Sequence, residues 1–350
     1  MPEGNLLNII KRYTIYMLKH SYQPVRDITI MTILPALLYG CMYPVSPDTS
    51  SETETALHLE TACKGTGRYH TIDILAFNDN KMQRLDSYQR IISPDISTIK
   101  AGSSSGDKIF EIIVNSQKES FDWAEINSRT GLKNINVNLE DETEETYIMT
   151  GTHHGTAGEA SRIKMRRLSS EIILRSINCD FSGKAYSGHV IKDAKIYLTN
   201  VNAECPIWNE GLYRPLRIVN RGRLIMSDGN GFSAPESIFR DIGKEIGINI
   251  INPAITLRCY PNEIEEESPG GAFTRIVIEG EVDGKTYYWP ININRNDNGT
   301  GVNRNSRYIY DIRIRRLGSE DPDFAIEPED ADIKLEIEEW EEKEEYGVRF

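Results

Sequence analysis

The residue types that could do chemistry are all present in this chain of 350 residues, but their spacing does not bring them together. His153 and His154 stand side by side in TGTHHGTAGE, which reads as a glycine-rich loop. Adjacent side chains point apart, and no third ligand follows at the spacing of a zinc site. SDGNGFSAPE places Asp228, Asn230 and Glu236 near a glycine, yet it lacks the alternating acidic positions of a calcium loop and reads as a turn. The acidic runs EIEEES and EEWEEKEE are solvated faces, since acid–base catalysis needs two carboxyls converging from unlike environments. The phosphate-loop and strict G-x-G-x-x-G dinucleotide fingerprints are absent. The sequence therefore nominates no catalytic residue, no metal ligand and no cofactor, and the chain does not read as an enzyme.

One cysteine has a different chemistry available. The apolar run MTILPALLYG ends at Cys41, and Lys11, Arg12, Lys19 and Arg26 precede it, the basic-then-apolar order of an export signal, with Met17 as a second possible start. LLYGC resembles a bacterial lipobox, in which the cysteine thiol takes a diacylglycerol and becomes the first residue of a lipoprotein. Tyr39 is bulkier than the small residue usual there, so an ordinary secretory signal with an incidental cysteine stays open. Acyl chains contribute ~0.8 kcal/mol per buried methylene, enough to hold a protein on a membrane without a spanning helix. The run from Ile28 to Gly40 is itself too short, and too broken by Pro35, to span a bilayer comfortably. MYPVSPDTSSETET then reads as a tether. Cys63, Cys179, Cys205 and Cys259 remain, without any C-x-x-C spacing, and are open to disulfides or to burial as free thiols.

These residues must be positioned by strands. A formal net charge of -13 gives no footing on phosphate backbones, so nucleic acid is excluded as a partner. From about residue 70 onward the pattern is two-residue alternation broken by Gly, Asn, Asp, Ser and Pro, as in HTIDILAF, KIFEIIVNS, RRLSSEIILRSIN, AITLRCYP and RYIYDIRIRRL, each read as one strand. The clearest hairpin is TRIVIEGEVDGKTYYWPI, where Asp283-Gly284 supplies a tight turn. RLDSYQRII and ESIFRDIGKEIG read as short helical turns. PIWNEGLYR makes a turn-rich break near residues 203–212. The expectation is an all-β chain: a signal region over 1–40, a tether with a first strand over 41–68, and two antiparallel β-sandwich domains over 69–205 and 206–350.

The end of the sequence, EEYGVRF, alternates Tyr346, Val348 and Phe350 on one face. It reads either as the close of a local hairpin or as a strand that adds to the edge of another subunit. Tyr287, Tyr288 and Trp289 are adjacent, but alternation splits them between faces, against an aromatic platform for glycan.

Taken in order, LLYGC, HTIDILAFND with LDSYQRI, RIKMRRLSSEIIL with AKIYLTNVNAEC, FTRIVIEGEVDGKTYYWPININ, RNSRYIYDIRIRRLGSEDPD and IKLEIEEWEEK resemble the fimbrillin superfamily of Bacteroidetes. The resemblance implies two transthyretin-like sandwiches, export as a lipoprotein to the outer membrane and assembly into fimbriae at the cell surface. It implies a trypsin-like protease that removes the lipidated N-terminal segment, and strand exchange in which the C-terminal strand of a neighbouring subunit fills the vacated groove. Arg68 in KGTGRYH is then the best-placed site of cleavage, with Lys64 the alternative and with flanking glycines that suit a protease. The discarded piece would include TALHLETAC, whose Leu57, Leu59 and Thr61 alternate, and would carry away Cys63. The partners implied are other fimbrial subunits, the protease, the outer membrane through Cys41, and a host or bacterial surface ligand. A tip adhesin, a membrane anchor and a monomeric glycan-binding lipoprotein are the alternatives.

Overall fold

The computed structural model describes residues 52–61, 69–92, 98–118, 123–143, 146–225, 232–268, 270–295, 299–327 and 329–339. They form an almost purely β structure, as the alternation requires.

Eight strands precede residue 168. They are β1 (Thr53–Thr61), β2 (Ile72–Asn78), β3 (Leu85–Ile91), β4 (Thr98–Ser103), β5 (Asp107–Val114), β6 (Asn136–Asn138), β7 (Met149–Thr156) and β8 (Ser161–Arg167). All but β6 join one sheet in the order β3-β2-β5-β7-β8-β1-β4. β7 meets β8 over only Met149↔Arg167 and Thr150↔Arg166, and the sheet folds over at that corner. Side chains of β2 and β5 therefore pack on those of β1, β4 and β8 in one apolar cluster. The fold-over brings the two sheet edges together at one end, where the Ser87 hydroxyl donates to the Gly102 carbonyl at 2.5 Å. Gly151 is required near the corner, since a Cβ there would lie 2.6 Å from the Met165 sulfur and 2.7 Å from Ile163 Cγ2.

The run Ile72–Phe77 is buried on both faces, so its apolar residues do not keep the alternation read for HTIDILAF, and Asp73 within it accepts hydrogen bonds from Tyr88, Arg90 and Ser116. Ile72, Ile74 and Ala76 face the first cluster. Leu75 and Phe77 face a larger one that includes Trp123, Leu132 and Leu139 and runs on into the rest of the chain.

The later strands are β9 (Ser170–Cys179), β10 (Lys192–Thr199), β11 (Val201–Asn202), β12 (Glu204–Pro206), β13 (Ile218–Val219), β14 (Phe239–Asp241), β15 (Ile255–Cys259), β16 (Arg275–Val282), β17 (Lys285–Asn292), β18 (Ser306–Ile314) and β19 (Ala331–Glu339). Two four-stranded sheets, β14-β10-β16-β17 and β15-β9-β18-β19, share the larger core through Ile196, Ile278, Ile172 and Tyr310. β11 pairs β13, and β12 pairs β6. Sheet membership changes between Arg167 and Ser170. β9 and β10 pair with strands beyond residue 206, so a division at 205–206 falls within these pairings.

Several local expectations change. LDSYQRI is strand β3, because its backbone pairs with β2 across the whole length of the segment. ESIFRDIGKEIG gives a single 3-10 turn, Pro235–Ser237, and the short β14. RRLSSEIILRSIN is split between β8 and β9. The β16–β17 hairpin is as read, with Asp283 and Gly284 at φ 54° and 77°.

Candidate functional site

β1 is the middle strand of the folded-over layer, antiparallel to β4 on one side and parallel to β8 on the other. Its alternation sets two faces. Thr55, Leu57 and Leu59 are buried, and Glu54, His58 and Glu60 are exposed. Leu57 has no exposed surface and Leu59 7%. They sit in a groove walled by Ile99 and Ala101 of β4 and by Ile163 and Met165 of β8, over a floor that includes Phe110 and Ile112 of β5. Each leucine contributes roughly 1.5–3 kcal/mol by leaving water. Thr55 Oγ1 accepts a hydrogen bond from the Gly158 amide at 2.8 Å, which fixes one end of the strand.

The exposed face is held by polar pairs in water: Glu54 with Lys100 at 2.9 Å, His58 Nδ1 with Thr98 Oγ1 at 2.9 Å, and Glu60 with Arg162 at 3.4 Å. Such pairs add little. What holds β1 is two rows of backbone hydrogen bonds and one apolar face. Withdrawal of the strand would uncover both rows and the apolar floor together, since β4 and β8 have β1 between them and do not pair with each other.

Between Thr61, the last residue of β1, and Ile72, the first of β2, the sequence places Lys64 and Arg68. Both lie outside the described residues, as do Cys41, Cys63, Tyr346, Val348 and Phe350. The last described residue, Glu339 of β19, lies 3.9 Å from Lys164 of β8, so the chain leaves β19 beside the strand that neighbours β1.

The other candidate residues do not assemble into a reaction centre. His153 and His154 lie in β7, not in a loop, and point apart as strand neighbours must. His153 stacks on Phe110, and burial, then the charge of His154, lower its pKa. His154 pairs with Asp79 at 2.9 Å. Asp228 and Asn230 lie outside the described residues. Among the described residues no group of three or more His, Cys, Asp or Glu is arranged to hold a metal. Trp289 is fully buried and donates Nε1–H to the Arg316 carbonyl at 3.0 Å, so it offers no face to a sugar. Cys179, Cys205 and Cys259 are buried free thiols.

Glu142 is one of the buried acids, with Asp73, Glu111 and Glu171, that sequence reasoning missed. Glu142 accepts hydrogen bonds from Ser169 Oγ at 2.6 Å and from Tyr260 OH at 3.2 Å. It thereby ties the segment before β7 to the β8–β9 link and to the end of β15. Burial pushes its pKa up to about 7 against the pull of Ser169, Arg258 and Tyr260. No periodicity marks such a residue, because its partners are distant in sequence.

No family model matches the chain, and no curated protein does. Solved structures do. A candidate cell adhesion protein from Parabacteroides distasonis superposes with a TM-score of 0.61 at 12% identity, over 83% of this chain and 98% of that one. A fimbrilin from Porphyromonas gingivalis gives 0.59 at 14% identity, over 82% and 97%. A tip fimbrial protein of the same organism, truncated at its C-terminus, gives 0.51 at 14%, over 83% and 100%. The chain thus has the fold shared by fimbrilins and cell adhesion proteins of Bacteroidetes.

Proposed function

We propose that this chain, with the fold of Bacteroidetes fimbrilins, is a structural subunit of a cell-surface fimbria that contributes to adhesion, and that its first strand is a temporary occupant of an assembly groove. The observation that carries the reading is the position of β1: a central, apolar-faced strand whose connection onward to β2 contains Lys64 and Arg68. A cut at either residue leaves β1 held by non-covalent contacts alone. The vacated groove would be a ready acceptor for an extended segment, because strand addition takes affinity from the backbone rows and specificity from alternate side chains. Tyr346, Val348 and Phe350 of a neighbouring subunit supply that alternation. One chain's end in the next chain's groove is a head-to-tail contact that does not close on itself, so it builds a filament.

The same reading takes the two sets of sheets as tandem sandwich domains and Cys41 as a lipid anchor that holds the precursor at the outer membrane until cleavage. The experiment is to sequence the N-terminus of the protein taken from assembled fibres. The expected first residue is Tyr69 or Gly65. Fibres built from chains that still begin at Cys41 would overturn maturation by cleavage and support a membrane-anchor role.

A further inference from the structure

We propose that Lys108 and Asn78 form an intramolecular isopeptide bond across strands β5 and β2. Asn78 and Lys108 are register partners in the β2–β5 pairing, so their side chains leave the sheet side by side. Lys108 is 1% exposed, a burial a lysine almost never accepts without a specific arrangement around it. Its Nζ donates to Asn78 Oδ1 at 2.5 Å, the oxygen bonded to the amide carbon Cγ. Nζ also lies 2.8 Å from Ser104 Oγ and 3.3 Å from Asp86 Oδ2. Asp86 is fixed in turn, accepting from the Ser104 amide at 2.8 Å and from the Ser104 hydroxyl at 2.6 Å. Nucleophile, amide and carboxylate are thus held together by β2, β3, β5 and the residue that follows β4.

The chemistry needs no outside reagent. The Lys108 ammonium passes a proton to the Asp86 carboxylate, and the neutral amine attacks Cγ of Asn78. Asp86 returns the proton to the amide nitrogen as the Cγ–Nδ2 bond breaks. The amine's remaining surplus proton leaves with ammonia as ammonium. One ammonium ion is consumed as a side chain and one is released, so atoms and charge balance. Burial works to raise the Asp86 pKa, and the Ser104 hydrogen bonds with the Lys108 charge outweigh it, leaving Asp86 ionised and able to act as the base. Excluding water protects the amine and strengthens each polar contact.

The bond would close a covalent loop over residues 78–108, which contains β3 and β4. β4 is one wall of the β1 groove, so the clip would hold that wall whether β1 is in place or not. The inference stands independently of strand exchange. The test is the intact mass of the purified, denatured full chain, followed by peptide mapping. The expected result is a mass lower than the sequence mass by one ammonia, together with a branched peptide that joins the Asn78 and Lys108 segments. Asp86→Ala should restore the full mass in folded protein. A wild-type chain at its full sequence mass, or an ammonia loss that maps to another residue, would overturn the proposal. A folded Asp86→Ala chain that still carries the branched peptide would remove Asp86 from the chemistry.

Discussion

Leu57 and His58 are neighbours with opposite environments, and they separate packing from surface pairing in β1. Leu57→Ala opens a cavity in the groove and should cost roughly 2–5 kcal/mol in a urea melt of the precursor. His58→Ala removes only the exposed contact with Thr98 and should stay within about 0.5 kcal/mol. Equal losses would mean that β1 is not seated by its apolar face. Glu142 gives a pH signature. Its folded pKa is raised from 4.5 to about 7, so the folded state holds a proton that the unfolded chain has released. Its contribution is complete below pH 4.5 and is lost as pH rises through 7, a change on the order of 3 kcal/mol. Glu142→Gln should flatten the fall in melting temperature between pH 5 and pH 8. An unchanged slope would place the pH dependence elsewhere. Leu57 and Leu59 were legible as a buried strand face. Lys108, Asp86 and Glu142 were not, because burial of a charged group depends on partners that only the fold brings close.

At the scale of elements, the strand pattern told most where one face meets water. β1, β18 and the Asp283-Gly284 hairpin follow from alternation and turn chemistry. The failures have a common cause. LDSYQRI has helix-compatible composition, and pairing along β2 overrides it. RRLSSEIILRSIN looks continuous, but Leu168 and Ser169 carry the chain from one sheet to another, a step set by long-range pairing. The groove itself was invisible in the sequence, since its walls come from β4 and β8 and its floor from β2 and β5. The element-scale prediction concerns what a cut does. Limited trypsin treatment of the precursor should cleave first after Lys64 or Arg68, with the β1 fragment co-eluting until denaturant releases it below the midpoint of the uncut chain. First cuts within RIKMRR would misplace the connection, and immediate loss of the fragment would show that β1 does not hold the groove.

The whole molecule is a polar, acidic body whose described residues include no helix long and apolar enough to cross a membrane. The lipid anchor proposed at Cys41 predicts that Cys41→Ser abolishes lipid labelling and membrane retention of the precursor. Retained labelling would assign the anchor to another residue. In the proposed assembly, filament growth uses the segment that holds Tyr346, Val348 and Phe350. Burying Tyr346, Val348 and Phe350 in a neighbour's groove could contribute roughly 1.5–3 kcal/mol for each large side chain before ordering costs are subtracted. In that assembly the contacts would lie between subunits, so their removal should spare the monomer. The most direct measurement compares protease-nicked full-length protein with a chain lacking residues 345–350, by size and by electron microscopy. The account predicts filaments from the full-length chain, monomers from the shortened one, and nearly the same melting transition for both precursors. Filaments from the shortened chain, or a shortened precursor that melts far below the full-length one, would contradict it.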